Sequence, residues 1–96
     1  MTVGMARIEL FLLEQPNSLK GKRAVLSRIK SRLSSRFPIS IAEVGFQDVW
    51  QKTEIGFACV NESESHVREV IQKIILEIER DYPVEITSKS VDFQPF

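Results

Sequence analysis

Between Val67 and Tyr82 the chain places Val67, Val70, Ile71, Ile74, Ile75, Ile78 and Tyr82 three or four residues apart. On a helix all seven fall on one face. The opposite face carries Glu64 with Arg68 and Glu69 with Lys73, each pair four residues apart in the favourable order. Asn61–Ser65 offers caps and first-turn acids before this helix, and Pro83 stops it. A helix with so broad an apolar stripe must lie on a large apolar surface, and the rest of the chain has to supply it.

Four stretches read as strands. In 2–13, Ala6, Ile8, Leu10 and Leu12 point one way, while Met5, Arg7, Glu9 and Phe11 point the other. A second strand runs from Ile39 to Val44. In 51–60, Ile55, Phe57 and Cys59 alternate with Lys52, Glu54, Gly56 and Ala58, so the first set faces inward. A last strand covers Val84–Val91, with Val84 and Ile86 on one side, and 92–96 follow as a tail whose order the sequence leaves open. Residues 14–17 form a connection, and Ser18 caps an earlier helix over about 19–35. Leu19, Leu26, Ile29 and Leu33 share its apolar face, with Val25 on the flank. Phe37-Pro38 ends it.

The order is β-α-β-β-α-β. It predicts an α+β, ferredoxin-like sandwich, with a four-stranded antiparallel sheet covered on one face by two helices. The first and third strands are expected at the centre, with the second and fourth at the edges. Ninety-six residues suffice for a single domain, 1–96.

Several function classes drop out. Hydrophobic residues at 43% and charged residues at 27% are the balance of a globule, not of a disordered chain. Apolar runs are far too short for a membrane span. No signal peptide is evident, and a lone thiol suits a reducing compartment, so a cytoplasmic protein is expected. One cysteine and one histidine leave no disulfide framework and no zinc spacing. No phosphate-binding loop, dinucleotide fingerprint or calcium loop occurs. The expectation is no metal, no cofactor and no enzyme. Cys59 reads as a small buried hydrophobe, His66 as a first-turn or surface residue, and Leu76 as an exposed leucine off the stripe.

The formal net charge is zero, yet residues 1–36 hold eight basic and two acidic residues, and 37–96 hold five basic and eleven acidic. At 100° per residue, Arg23 and Lys30 flank the apolar stripe of the first helix on one side and Arg32 and Arg36 on the other. Lys20 and Arg28 point outward. Lys22 falls inside the stripe, one turn from the start. Lys20, Lys22, Arg23, Arg28, Lys30 and Arg32 are therefore the candidate contacts to nucleic-acid phosphates. Against this stands a plain solvated face, or pairing with the acidic second helix through Glu62, Glu64, Glu69, Glu77, Glu79 and Asp81.

The uncovered sheet face offers one aromatic, Phe11, too few for the base-stacking platform of RNA-recognition motifs. Self-association, or cover by the Phe46–Trp50 loop, is the expected use of Met5 and Phe11. Phe46 and Trp50 are expected to anchor that loop on the core or at an interface. Gln47 and Asp48 are expected to bond its backbone.

Ser18-Leu19-Lys20-Gly21-Lys22-Arg23, Ala42-Glu43-Val44, Gln47-Asp48-Val49-Trp50-Gln51, Gly56 and His66-Val67, in this order and spacing, resemble the YlxP-like family of small bacterial proteins. The resemblance covers nearly the whole chain. It implies a ferredoxin-like fold and a link to translation or ribosome maturation, with no established activity. It also draws attention to Gln47, Asp48, Trp50 and Gln51 as the loop to probe. The family usually has Glu where this chain has Gly21, which removes half of a capping box and costs about 0.5–1 kcal/mol of helix stability relative to alanine.

Two functions remain. One is a non-catalytic module that docks on ribosomal RNA, or on a ribosome-maturation factor, through the basic helix. The other is a protein-interaction module that forms homo-oligomers and has no nucleic-acid role. No DNA specificity is legible.

Overall fold

The computed structural model describes residues 1–14 and 17–96. The expected connection at 14–17 includes Gln15 and Pro16, which lie outside the described residues. The elements follow the expected order: β1 (Thr2–Leu12), α1 (Leu19–Arg36), β2 (Ser40–Gly45), β3 (Lys52–Asn61), α2 (Glu64–Asp81) and β4 (Val84–Pro95). The sheet is antiparallel with order β2-β3-β1-β4, so β1 and β3 are central and β2 and β4 are edges. This is the ferredoxin-like α+β arrangement.

Burial follows the sequence periods. Ala6, Ile8, Leu10 and Leu12 of β1 and Ile55, Phe57 and Cys59 of β3 face the helices and are buried. Leu26, Ile29 and Leu33 come down from α1, and Val67, Val70, Ile71, Ile74 and Ile78 from α2. Caps define both helix starts. Ser18 Oγ accepts from the Gly21 amide at 3.0 Å, and Ser63 Oγ from the His66 amide at 3.3 Å. A Cβ on Gly4 would overlap Val67 Cγ1 and lie 2.8 Å from Ile71 Cδ1, so the bare backbone there lets α2 sit close on β1.

The last five residues are not a tail. β4 pairs with β1 from Leu12↔Val84 to Thr2↔Pro95. Beyond it the Met1 ammonium donates to Phe96 O, and the Phe96 amide donates to Met1 O, both at 2.7 Å. Asp92 and Pro95 suggest a chain end by composition, but β1 has 11 residues and each needs a partner. One extra residue in β4, Thr87, bulges between the Leu10↔Ile86 and Glu9↔Ser88 pairs, so β4 needs 12. Past the bulge the helix-facing side of β4 passes to Lys89, Val91 and Phe93. Phe93 packs against the core, under the Arg68 guanidinium at 4.0 Å from the ring centre. Thr87 itself donates to Glu9 Oε2 at 2.7 Å. That bond, with the Lys52 charge beside it, holds the Glu9 carboxyl below the ordinary range.

Candidate functional site: a lysine clamp and a sorted basic helix

Lys22 is the residue the sequence misplaces. Its side chain is 1% exposed, so it reaches no phosphate. The reason is its angle. It sits one turn before Leu26 on the stripe that faces the sheet, and nothing at that level pushes it outward. Burying an ammonium is costly unless every proton finds an acceptor. Here all three do. Lys22 Nζ donates to Phe46 O and Val49 O, each at 2.6 Å, and lies 3.0 Å from Glu43 Oε2. Gln47 O stands further off at 3.5 Å. The Thr53 hydroxyl donates to the same Glu43 oxygen at 2.6 Å. Glu43 is the inward residue that follows Ile41 on β2, a charge at a core-facing position just as Lys22 is on α1.

The consequence is a pinned loop. Lys22 holds the backbone of the β2–β3 connection at two carbonyls. The Val49 amide closes a turn onto Phe46 O at 3.0 Å, and the Leu12 amide bonds Gln51 O at 2.7 Å. Phe46 takes φ = 58°, a left-handed conformation unusual for an aromatic residue. Its ring lies 4.4 Å from Lys52 Nζ. The expectation that Phe46 and Trp50 anchor this loop on the core is corrected. Trp50 is 50% exposed and Val49 43% exposed, and the anchor is main chain, gripped from below by a lysine. The side chains of Gln47, Asp48 and Gln51 are exposed and make no hydrogen bond among the described residues, so the expected backbone bonds from Gln47 and Asp48 are absent there.

The remaining cations of α1 are sorted by flank. Arg36 reaches Glu77 Oε1 at 2.8 Å, and Arg32 lies close enough to Asp81 to help lower its pKa behind the main cause, the hydrogen bond from Arg80. That flank faces α2. Arg23 and Lys30 lie on the other flank and Lys20 and Arg28 further out, by the 100° rotation per residue. Lys20, Arg23 and Arg28 are exposed and pair with no carboxylate among the described residues. Lys30 is half-buried. The acidic residues of α2 thus take the α2-facing flank of α1 and leave the other one alone. Outside α1, Glu64–Arg68 and Glu69–Lys73 pair along α2.

The open sheet face carries an apolar trough of about 550 Å³. Its floor is Ala42, Gly56 and Ala58, Met5 and Val44 rise around it, and Ser90 and Asp92 of β4 complete its rim. The loop reaches this face only at the Lys52 end, through Phe46, and leaves Met5 38% exposed. Cys59 is buried between sheet and helices, and burial pushes its thiol up, away from the nucleophilic form. His66 and Leu76 are exposed on α2, as expected.

A family described as "Protein of unknown function (DUF503)" matches residues 3–91. The chain belongs to this family. It is 38% identical over 85 residues to a protein of Bacillus subtilis (strain 168) described as "Uncharacterized protein YlxP", covering 88% of this chain and 91% of that one. The fold is similar to that of the de novo designed protein Foldit4, with a TM-score of 0.53 at 14% identity, across 99% of this chain and 97% of that one. No helix among the described residues is long and apolar enough to cross a membrane.

Replacing Lys22 by Met strands Glu43 and two loop carbonyls, and is expected to cost about 3 kcal/mol of stability in urea denaturation. Adding Glu43→Leu to that variant should recover part of the loss, since both buried charges then go. A single variant as stable as the parent would contradict the clamp.

Proposed function

We propose that this protein is a non-catalytic, cytoplasmic binding module that docks on RNA through the solvent-facing side of α1, from the flank turned away from α2 across to Arg28. The observation that carries the reading is the absence, among the described residues, of carboxylate partners on Lys20, Arg23 and Arg28 in a chain with as many acids as bases. Carboxylates sit within reach of the α2-facing flank and take Arg36, while the outward cations keep their full field. A row of unpaired guanidinium and ammonium groups on a rigid helix attracts a polyanion by releasing its counterions. Lys30 and Arg32 border the row as weaker contributors. Lys22 belongs to the fold and is withdrawn from the contact set. Ribosomal RNA, or an assembly that contains it, is the partner that the family resemblance favours.

A second reading rests on the trough. An open sheet face with an alanine and glycine floor is a surface on which a second copy of the chain can pack. Sedimentation at high micromolar protein should then show a dimer that Met5→Lys dissolves. A monomer in the unaltered protein would discard this reading.

For the first reading, reversing Lys20, Arg23 and Arg28 to glutamate should abolish RNA binding in a filter or anisotropy assay. Replacing the same three by glutamine should lower the slope of log affinity against log salt by about 2 for a single strand. Neutralising Arg68 and Lys73, whose charges are already met on α2, should change neither. Unaltered affinity in the glutamate variant would defeat the proposal.

A further inference from the structure

Trp50 is the sole tryptophan of the chain and is 50% exposed near the end of the β2–β3 connection, whose backbone Lys22 holds. An exposed aromatic on a mobile loop has no meaning beyond composition. This one is different in two respects. Its backbone neighbours are gripped by a buried ammonium, and Phe46, four residues before it, is kept at φ = 58°. Strain of that kind persists only where surrounding contacts over-determine it, and it concentrates where a side chain must be presented. The second respect is position. The loop leaves from β2, the edge strand on which α1 packs. The flank of α1 turned away from α2 lies on that same side of the molecule, and Lys22 ties the first turn of α1 directly to the loop. The Lys22 tie therefore brings the loop that carries Trp50 to the end of α1 that carries Lys20 and Arg23.

We propose that Trp50 is a stacking platform for an unpaired base of a single-stranded nucleic acid, with Lys20 and Arg23 taking the adjoining phosphates. This rests on the RNA reading above and specifies its substrate class. The chemistry favours a single strand because a base in a duplex is stacked on both faces and offers none to an indole. An aromatic face beside a cationic track is the arrangement that binds single strands with little regard to sequence. Because the clamp fixes the loop before the strand arrives, little ordering entropy is lost on binding. The open sheet face, where Phe11 is the one aromatic of the central strands, is too poor in aromatics to serve as the platform. The platform has moved to the sheet edge.

Trp50 also supplies its own signal. Titration of the full chain with a short single-stranded RNA should quench the indole fluorescence saturably, and a hairpin duplex with the same number of phosphates should quench it much less. By anisotropy of a labelled single strand, Trp50→Ala should bind about tenfold more weakly, while Trp50→Phe should keep most of the affinity. Duplex affinity should not change in either variant. The exposure of the side chain makes both variants fold, which the helical circular dichroism checks. Wild-type affinity of Trp50→Ala for the single strand, with binding still lost on reversal of Lys20, Arg23 and Arg28, would overturn the platform and leave the RNA reading standing. Failure of the unaltered protein to bind either RNA would overturn both.

Discussion

A buried ammonium sets the terms for one end of this molecule. Lys22 cannot turn toward water without dragging the first turn of α1 off the sheet, so its charge has to be met inside. Glu43 and two backbone carbonyls do that, and in doing so they fix how β2 ends, how the β2–β3 connection folds and where Trp50 stands. The extra residue at Val44, between the Glu43↔Ile55 and Gly45↔Glu54 pairs, fits the same requirement. Glu43 points at the helices and Val44, by strand alternation, turns to the open face, where its Cγ1 lies over Gly56. A pair of this kind adds little net stability compared with a well-packed apolar pair, because desolvation offsets most of the attraction. What it contributes is a single geometry for a loop whose own side chains would not hold it.

The second consequence is a division of labour among cations of like sequence. Eight basic residues precede Pro38. Those of α1 have different environments because helix rotation sends each to a different place. Lys22 goes into the core, Arg32 and Arg36 toward the acids of α2, and Lys20, Arg23 and Arg28 into solvent. A protein with zero formal charge thus keeps a positive flank, since most of its acids lie on other elements, beyond Pro38. Glu9 and Glu54 meet Lys52 and Arg7 on the open face at 3.5 and 4.0 Å, so that face is close to neutral.

Most of the fold was legible because two periods dominate it. The stripe of α2 and the alternation of β1 and β3 admit one arrangement of layers, and the edge positions of β2 and β4 follow from the order of elements. The extent of β4 was not legible. Its pairing is dictated by the length of β1, a non-local constraint, and the bulge at Thr87 swaps the two faces midway, so the alternation from Val84 and Ile86 does not continue in phase. The clamp left a trace that was only half read. Lys22 on an apolar helical stripe is one charge out of pattern, and Glu43 at the inward register of β2 is another. Two opposite charges, each wrong for its element, point to each other. Trp50 was visible as an aromatic in a connection, but its exposure could not be inferred, because the force that fixes the loop acts on its backbone and leaves no mark in the loop's own side chains.

The claim beneath all of this is that the ammonium of Lys22 keeps residues 46–50 rigid. Amide nitrogen relaxation measures it directly. The account predicts order parameters for 46–50 near the rigid-backbone value of about 0.85 in the unaltered protein, and a fall below about 0.6 in Lys22→Met with the two helices intact. A loop already mobile in the parent, or one whose order survives the loss of the lysine, would contradict it.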